Sequence, residues 1–221
     1  MTNKGRKKAL IFDMDGVIIN NDRFHYLAWL KFARQHGKSL SFEEVKSWFG
    51  STNESILINF FNRQLTEHEI KEFANQKEEM YRELYSPHIE PIEGLKELLD
   101  AASADGYKIG LATSAPPGNV DFVLEKTRLG DYFQVITDET QISNGKPDPE
   151  IFILTAHKLN VNSSRSIVFE DSFYGIEAAK KAGMKVIAVA STHHSDRLQH
   201  ADRVILNFTE LDIQELDGLI E

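Results

Sequence analysis

The sequence predicts an α/β fold: a Rossmann-like doubly wound parallel sheet core with an inserted all-helical cap domain. Three observations predict it. Short, continuous apolar runs recur along the chain, and segments with helical spacing of apolar residues separate them. Strands that read as unbroken apolar runs belong to parallel sheets covered on both faces. One long stretch after the first run carries helical patterns only. The length, 221 residues, suits one such domain with a smaller insert.

The first strand is "ALIFD" (9–13). From Asn21 to Tyr85 no strand pattern follows. That stretch holds "FHYLAWLKFARQHG", "SFEEVKSWFG", "NESILINFFNRQL" and "TEHEIKEFANQKEEMYREL", each with helical spacing. The expected division is a discontinuous core, 1–19 and 87–221, with a helical cap at 20–86. The core then alternates. Helix "IEGLKELLDAASADG" precedes strand "KIGLATS" (108–114), and "NVDFVLEKTRLG" precedes "FQVIT" (133–137). "PEIFILTAHKLN" leads to "SIVFED" (166–171), and "FYGIEAAKKAGM" to "KVIAVA" (185–190) and "RVIL" (203–206). Ligands of open parallel sheets bind at the carboxyl ends of the strands, so an insert leaving the end of strand one is expected to cover the site.

Composition narrows the function. The formal charge of -9 argues against a general nucleic-acid binder, and the basic run "KGRKK" reads as a solvated tail. No run of apolar residues is long enough to span a membrane. The apolar stretch after the basic start is soon interrupted by Asp13, so it does not read as a signal peptide, and a cytoplasmic location is expected. There is no cysteine, hence no disulfide frame and no thiolate chemistry. In that setting the sequons at Asn53, Asn162 and Asn207 are chance matches. No heptad run points to a coiled coil, and a monomer is expected.

Four strand ends carry polar residues suited to phosphate chemistry. The first is Asp13-Met14-Asp15-Gly16. Alternate residues of a strand share a side, so Asp13 and Asp15 can face one site while Met14 packs away. Asp-Gly is equally an ordinary turn pair, and on the dipeptide alone both readings stand. An EF-hand is excluded, because Val17 and Ile18 stand where a ligand and a glycine are required. The second is "LATSAPPG", where Thr113 and Ser114 offer hydroxyls and backbone N–H groups to an anion, or simply cap the next helix. The third is "NGKPDPEIF". Pro147 pushes Lys146 toward an extended conformation, with Asp148 as expected N-cap and Pro149 at the first helical position. The fourth is "SIVFEDSFYG", ending a strand in Glu170-Asp171, with Asp171 or Ser172 as the plain helix cap.

In a parallel sheet Asp13, Asp15, Glu170 and Asp171 gather at one edge. Their mutual repulsion would raise one another's pKa values, and a divalent cation with a fixed lysine would relieve it. An all-oxygen donor set suits Mg2+.

Taken in order, "DMDGVI", "ATSA", "GKPDPEIF" and "FEDSFYGIEAAKKAGM" resemble the haloacid dehalogenase-like phosphatases. The likeness is to the branch with a helical cap after strand one, which holds β-phosphoglucomutase and many sugar-phosphate phosphatases. The resemblance implies that Asp13 is the nucleophile, forming an aspartyl-phosphate. It implies that Asp15 protonates the leaving oxygen and then activates the attacking group. Thr113 and the Ser114 amide would hold the phosphate, and Lys146 would pair with phosphate and Asp13. Mg2+ would be held by Asp13, the Asp15 carbonyl oxygen and Asp171, with Glu170 near it through water. Aspartate at position 15 suits an ester phosphatase or mutase; dehalogenases need no acid there.

In the cap segment His25 and Trp29 are spaced i, i+4. The family often has a histidine at that point, and His25 is a candidate substrate contact, whereas a packed aromatic face explains Trp29 as well. Phe60-Phe61 and Trp48 read as cap core, and His193-His194 as surface loop. The expected substrate is a small phosphorylated metabolite. The leading reading is a phosphatase, the second a sugar phosphomutase, and the third a phospho-accepting receiver domain. The mutases similar to this chain place an arginine where Asn53 aligns, and Ser, Lys and Asn where Ala115, Pro116 and Pro117 follow the Thr113–Ser114 pair. Arg63 or Lys77 is the alternative source of a cation there.

Overall fold

The computed structural model describes residues 7–46, 48, 52–191 and 198–220. His193-His194 lies outside the described residues, as do most of the residues between Lys46 and Thr52. The chain forms two compact units, Met1–Asn20 with Ile89–Glu221, and Asn21–His88.

Among the described residues the first unit is built on six parallel strands: β1 (Ala9–Phe12), β2 (Lys108–Ala112), β3 (Val135–Thr137), β4 (Ser166–Glu170), β5 (Lys185–Val189) and β6 (Arg203–Ile205). Their order is β3-β2-β1-β4-β5-β6. β1 pairs with β2 on one side and β4 on the other, so Phe12 stands level with both Leu111 and Phe169. The strand order reverses between β1 and β4, which is where such sheets open a ligand crevice at their carboxyl ends.

The apolar runs are strands because both faces are covered. On one face Ala9, Ile11 and Val168 join Ile151, Phe152, Ile176 and Ala179 in a buried cluster. Those partners come from α7 (Glu150–Leu159) and α8 (Phe173–Lys181). On the other face Phe12 stacks on Phe169 at 4.5 Å and 9°, with the Phe133 ring edge-on at 6.2 Å. Phe208 closes this cluster. α5 (Leu95–Ala104) and α6 (Pro117–Thr127) complete the crossovers. Among the described strands and α-helices, α9 (Ile213–Ile220) was not read from the sequence. Asp217 on it accepts from both Lys8, which precedes β1, and Tyr107, which precedes β2.

Among the described residues the second unit forms helices: α1 (Asp22–Gln35), α2 (Phe42–Lys46), α3 (Asn53–Phe61) and α4 (Glu67–Tyr85). Thr52 caps α3 by accepting from Ser55 N, and Thr66 opens α4 with a capping box to Glu69. Phe32, Phe60, Phe61 and Phe73 form the aromatic core with His36. Trp29 is buried, while Trp48 is half-buried against its edge at 5.5 Å.

Candidate active site

β1 delivers Asp13 as the first residue past its end, still tied to the sheet by Asp13 N donating to Phe169 O at 3.0 Å. Met14 is fully buried and Asp15 half-buried, as the alternation of a strand end requires. The chain then turns: Val17 N and Ile18 N donate to Met14 O, and Gly16 N to Ile19 O. Gly16 has φ +75, and a Cβ there would lie 2.2 Å from Asp171 Oδ2. The glycine of "DMDG" therefore serves both the turn and the close approach of Asp171.

β4 ends in Glu170, and Asp171 follows. One carboxylate oxygen from each of Asp13, Glu170 and Asp171 lies within 4.8 Å of the others, and all three residues are buried. Into this group comes Lys146. Its Nζ donates to Asp13 Oδ1 at 2.8 Å and to Glu170 Oε1 at 2.6 Å. The loop that carries it is stapled: Glu150 accepts from Ser143 N and Asn144 N, and Asp148 N donates to Gly145 O. The Lys146–Pro147 peptide is cis. α7 starts one residue later than expected, with Pro149 before it. Asp148 Oδ1 accepts from Glu150 N at 2.9 Å, so Asp148 supports the helix start without being its N-cap.

The electrostatics follow from burial. Burial pushes the Asp13 carboxyl up to about 7; Lys146 opposes this, and Glu170 and Asp15 add to it. Burial disfavours the Lys146 ammonium, yet Asp13 and Glu170 outweigh it and hold Lys146 above the ordinary lysine range. Lys146 is thus a permanent cation on the nucleophile candidate. A second cation fits the remaining charge, and the donors are oxygen only, the set that suits Mg2+. Asp13 and Asp171 would hold it. Glu170 lies in the same group, although Lys146 and Ser172 already donate to both of its oxygens. The Asp15 carboxylate is not part of the group.

β2 ends beside this cluster. Thr113 is buried, its N donating to Thr137 O and its Oγ1 accepting from Ala115 N at 3.0 Å. That bond uses an oxygen lone pair, and the hydroxyl hydrogen can still be donated to an anion. Ser114 is exposed on the turn that follows.

His25 and Asn53 belong to the helical unit and join a polar chain there. Lys77 Nζ meets His25 Nδ1 at 3.0 Å and donates to Glu78 Oε1 at 2.8 Å, and Asn53 Nδ2 donates to the same oxygen at 3.0 Å. His25 stacks on Tyr81 at 3.9 Å, and Tyr81 Oη accepts from Asn21 Nδ2. Burial, and then the Lys77 ammonium, push His25 down to about 3 against the pull of Glu78. Glu78, Tyr81 and Asn21 were not singled out from the sequence. Their pairing spans α1, α3 and α4 and has no local signal; only the adjacent opposite charges of Lys77-Glu78 hint at it. Arg63, the other cation considered, is exposed and paired with Glu69.

Residues 10–189 match the haloacid dehalogenase-like hydrolase family. The chain is 31% identical over 201 residues to a phosphorylated carbohydrates phosphatase of Thermotoga maritima, covering 90% of this chain and 93% of that protein. It is 33% identical over 217 residues to a β-phosphoglucomutase of Bacillus subtilis, covering 95% and 93%. Among solved structures, a hydrolase of family IA, variant 3, from Entamoeba histolytica superposes with a TM-score of 0.90 at 30% identity, over 96% of this chain and 99% of that one. With this sheet order and this lysine-bridged carboxylate cluster, the chain belongs to the haloacid dehalogenase-like hydrolases.

Proposed function

We propose that this haloacid dehalogenase-like phosphohydrolase cleaves the phosphate monoester of a small sugar-like metabolite through a phosphorylated Asp13. The observation that carries the reading is the contact of Lys146 Nζ with Asp13 Oδ1 inside a buried carboxylate cluster. A buried carboxylate held by a fixed ammonium stays aimed at an incoming phosphorus. Asp13 attacks, Asp15 protonates the leaving alkoxide, and the same Asp15 then takes a proton from the water that hydrolyses the aspartyl-phosphate. Thr113 Oγ1 and the Ser114 amide donate to the phosphoryl oxygens. Mg2+, when bound at Asp13, Asp171 and the Asp15 carbonyl, supplies charge neutralisation for the transferring group. A cytoplasmic location and a monomeric state belong to this reading.

Two relatives support the substrate class by name, a phosphorylated carbohydrates phosphatase and a β-phosphoglucomutase. The second also supports an alternative, sugar phosphomutase activity. A mutase must grip a second phosphate, and here the cations at hand are already committed: Lys77 to Glu78, and Arg63 to Glu69. Asparagine at 53 cannot form the bidentate fork of arginine. The experiment is a panel of phosphorylated metabolites with Mg2+, ranked by kcat/KM, with β-glucose 1-phosphate plus a trace of the 1,6-bisphosphate included. Free phosphate is expected to outpace glucose 6-phosphate. Isomerisation faster by an order of magnitude would establish the mutase instead.

A further inference from the structure

Glu170 is held by residues that, in the sequence, look like ordinary helix punctuation. Its Oε2 accepts Ser172 N at 2.7 Å and the Ser172 hydroxyl at 2.9 Å, while Oε1 accepts Lys146 Nζ at 2.6 Å. The Ser172 hydroxyl also accepts Gly175 N at 3.0 Å, as the N-cap of α8. A Cβ on Gly175 would lie 1.8 Å from Glu170 Oε1 and 1.9 Å from its Cδ. The Glu170 carboxylate therefore fills the space that a side chain at 175 would take. Glycine inside a helix is worse than alanine by about 1 kcal/mol, so helix propensity does not explain Gly175; the carboxylate does.

We propose that Ser172 and Gly175 are positioning residues: together they fix Glu170 over the first turn of α8, and Glu170 in turn holds the Lys146 ammonium on Asp13. The inference rests on the reading of Asp13 as nucleophile. Ser172→Ala removes one of the two bonds to Oε2 and the bond from Gly175 N. Gly175→Ala collides with the free end of a flexible side chain, so Glu170 swings aside while the helix stays. Gly175→Ala thereby leaves Lys146 a single carboxylate partner, and Ser172→Ala, which keeps the bond from the backbone N of residue 172, loosens the hold on Glu170 beside Asp13 and Asp171.

The test compares wild type with Ser172→Ala, Ser172→Thr, Gly175→Ala, Glu170→Ala and the Glu170→Ala/Gly175→Ala pair. It measures kcat and KM on an aryl phosphate, Mg2+ affinity by titration calorimetry, and Tm. Partners of this kind typically contribute about 10–100-fold to metal affinity or activity, so losses of that size are expected for Ser172→Ala and Gly175→Ala, in kcat more than in KM. Ser172→Thr keeps the hydroxyl and is expected to restore both. On the Glu170→Ala background, Gly175→Ala is expected to cost nothing further and to raise Tm, because the collision is gone and alanine suits the helix. Wild-type kcat and Mg2+ affinity in both single variants would overturn the proposal, as would a Gly175→Ala loss that adds in full to that of Glu170→Ala. A wild-type protein that hydrolyses no phosphate ester would instead remove the reading of Asp13, and the Mg2+ titrations would still report on the Glu170 clamp.

Discussion

Lys146 bridges two buried carboxylates at 2.8 and 2.6 Å, and its side chain is only 10% exposed. Removing the cation leaves Asp13 and Glu170 facing each other without compensation. Breaking a buried pair by deleting one partner typically costs about 3–5 kcal/mol. Lys146→Met is therefore expected to lower Tm clearly in metal-free buffer and to lose about 10²–10³-fold in kcat. Added Mg2+ should recover part of the Tm and little of the kcat, as thermal unfolding and steady-state assays would show. The histidine of the helical unit gives a second expectation. His25 is held at about 3, below its ordinary value of 6.5. The unfolded chain then binds a proton that the folded chain refuses, so stability is present above pH 6.5 and is lost as pH falls below it. Between pH 6.5 and 5 the His25 contribution has a slope of at most about 1.4 kcal/mol per pH unit, and the Asp13 carboxyl, pushed up to about 7 in the fold, contributes with the opposite sign. Urea unfolding across that window measures the net slope, and His25→Gln should lower it by the His25 share. An unchanged slope in His25→Gln would assign the effect to other groups.

At the level of elements, the sheet was the most legible part. "ALIF", "KIGLA", "SIVFE" and "KVIAV" are uninterrupted because helices bury both faces; β1 and β2 stop just before Asp13 and Thr113, and β4 ends on Glu170. The short helix α9 was not read, because eight residues at the end of the chain show too few turns for a period to stand out. Its placement depends on Lys8 and Tyr107, which lie far away in sequence, both donating to Asp217. Asp217→Ala is expected to destabilise by about 1 kcal/mol, since the groups are half-buried and partly screened. Urea denaturation measures it, and no change would mean that apolar packing of Leu216 and Ile220 holds the helix unaided. The candidate site shows the same division. Asp13, Lys146, Glu170 and Asp171 stand in motifs of residue types with one shared chemistry, and the fold brings them together. The Asn53–Glu78–Lys77–His25 chain was not legible because it depends on contacts between elements, whereas the Ser172–Gly175 clamp lies close to Glu170 in sequence and reads there as an ordinary helix cap.

Over the whole molecule, an acidic chain of net charge -9 concentrates buried carboxylates at one sheet edge and answers them with one fixed lysine. That arrangement is costly for stability alone, because a well-packed apolar cluster of the same volume is often as stable as a buried ion pair or more so. The proposed function, in which the site holds a cation and carries a phosphoryl group, would account for it. The central claim is that Asp13 carries that group. The most direct measurement quenches the enzyme in acid during turnover of an aryl phosphate with Mg2+ and maps the modified peptide by mass spectrometry. One phosphoryl group on Asp13 is expected, labile to hydroxylamine as an acyl phosphate is, and absent from Asp13→Asn. Phosphate on another residue, or unimpaired turnover by a well-folded Asp13→Asn, would contradict the account.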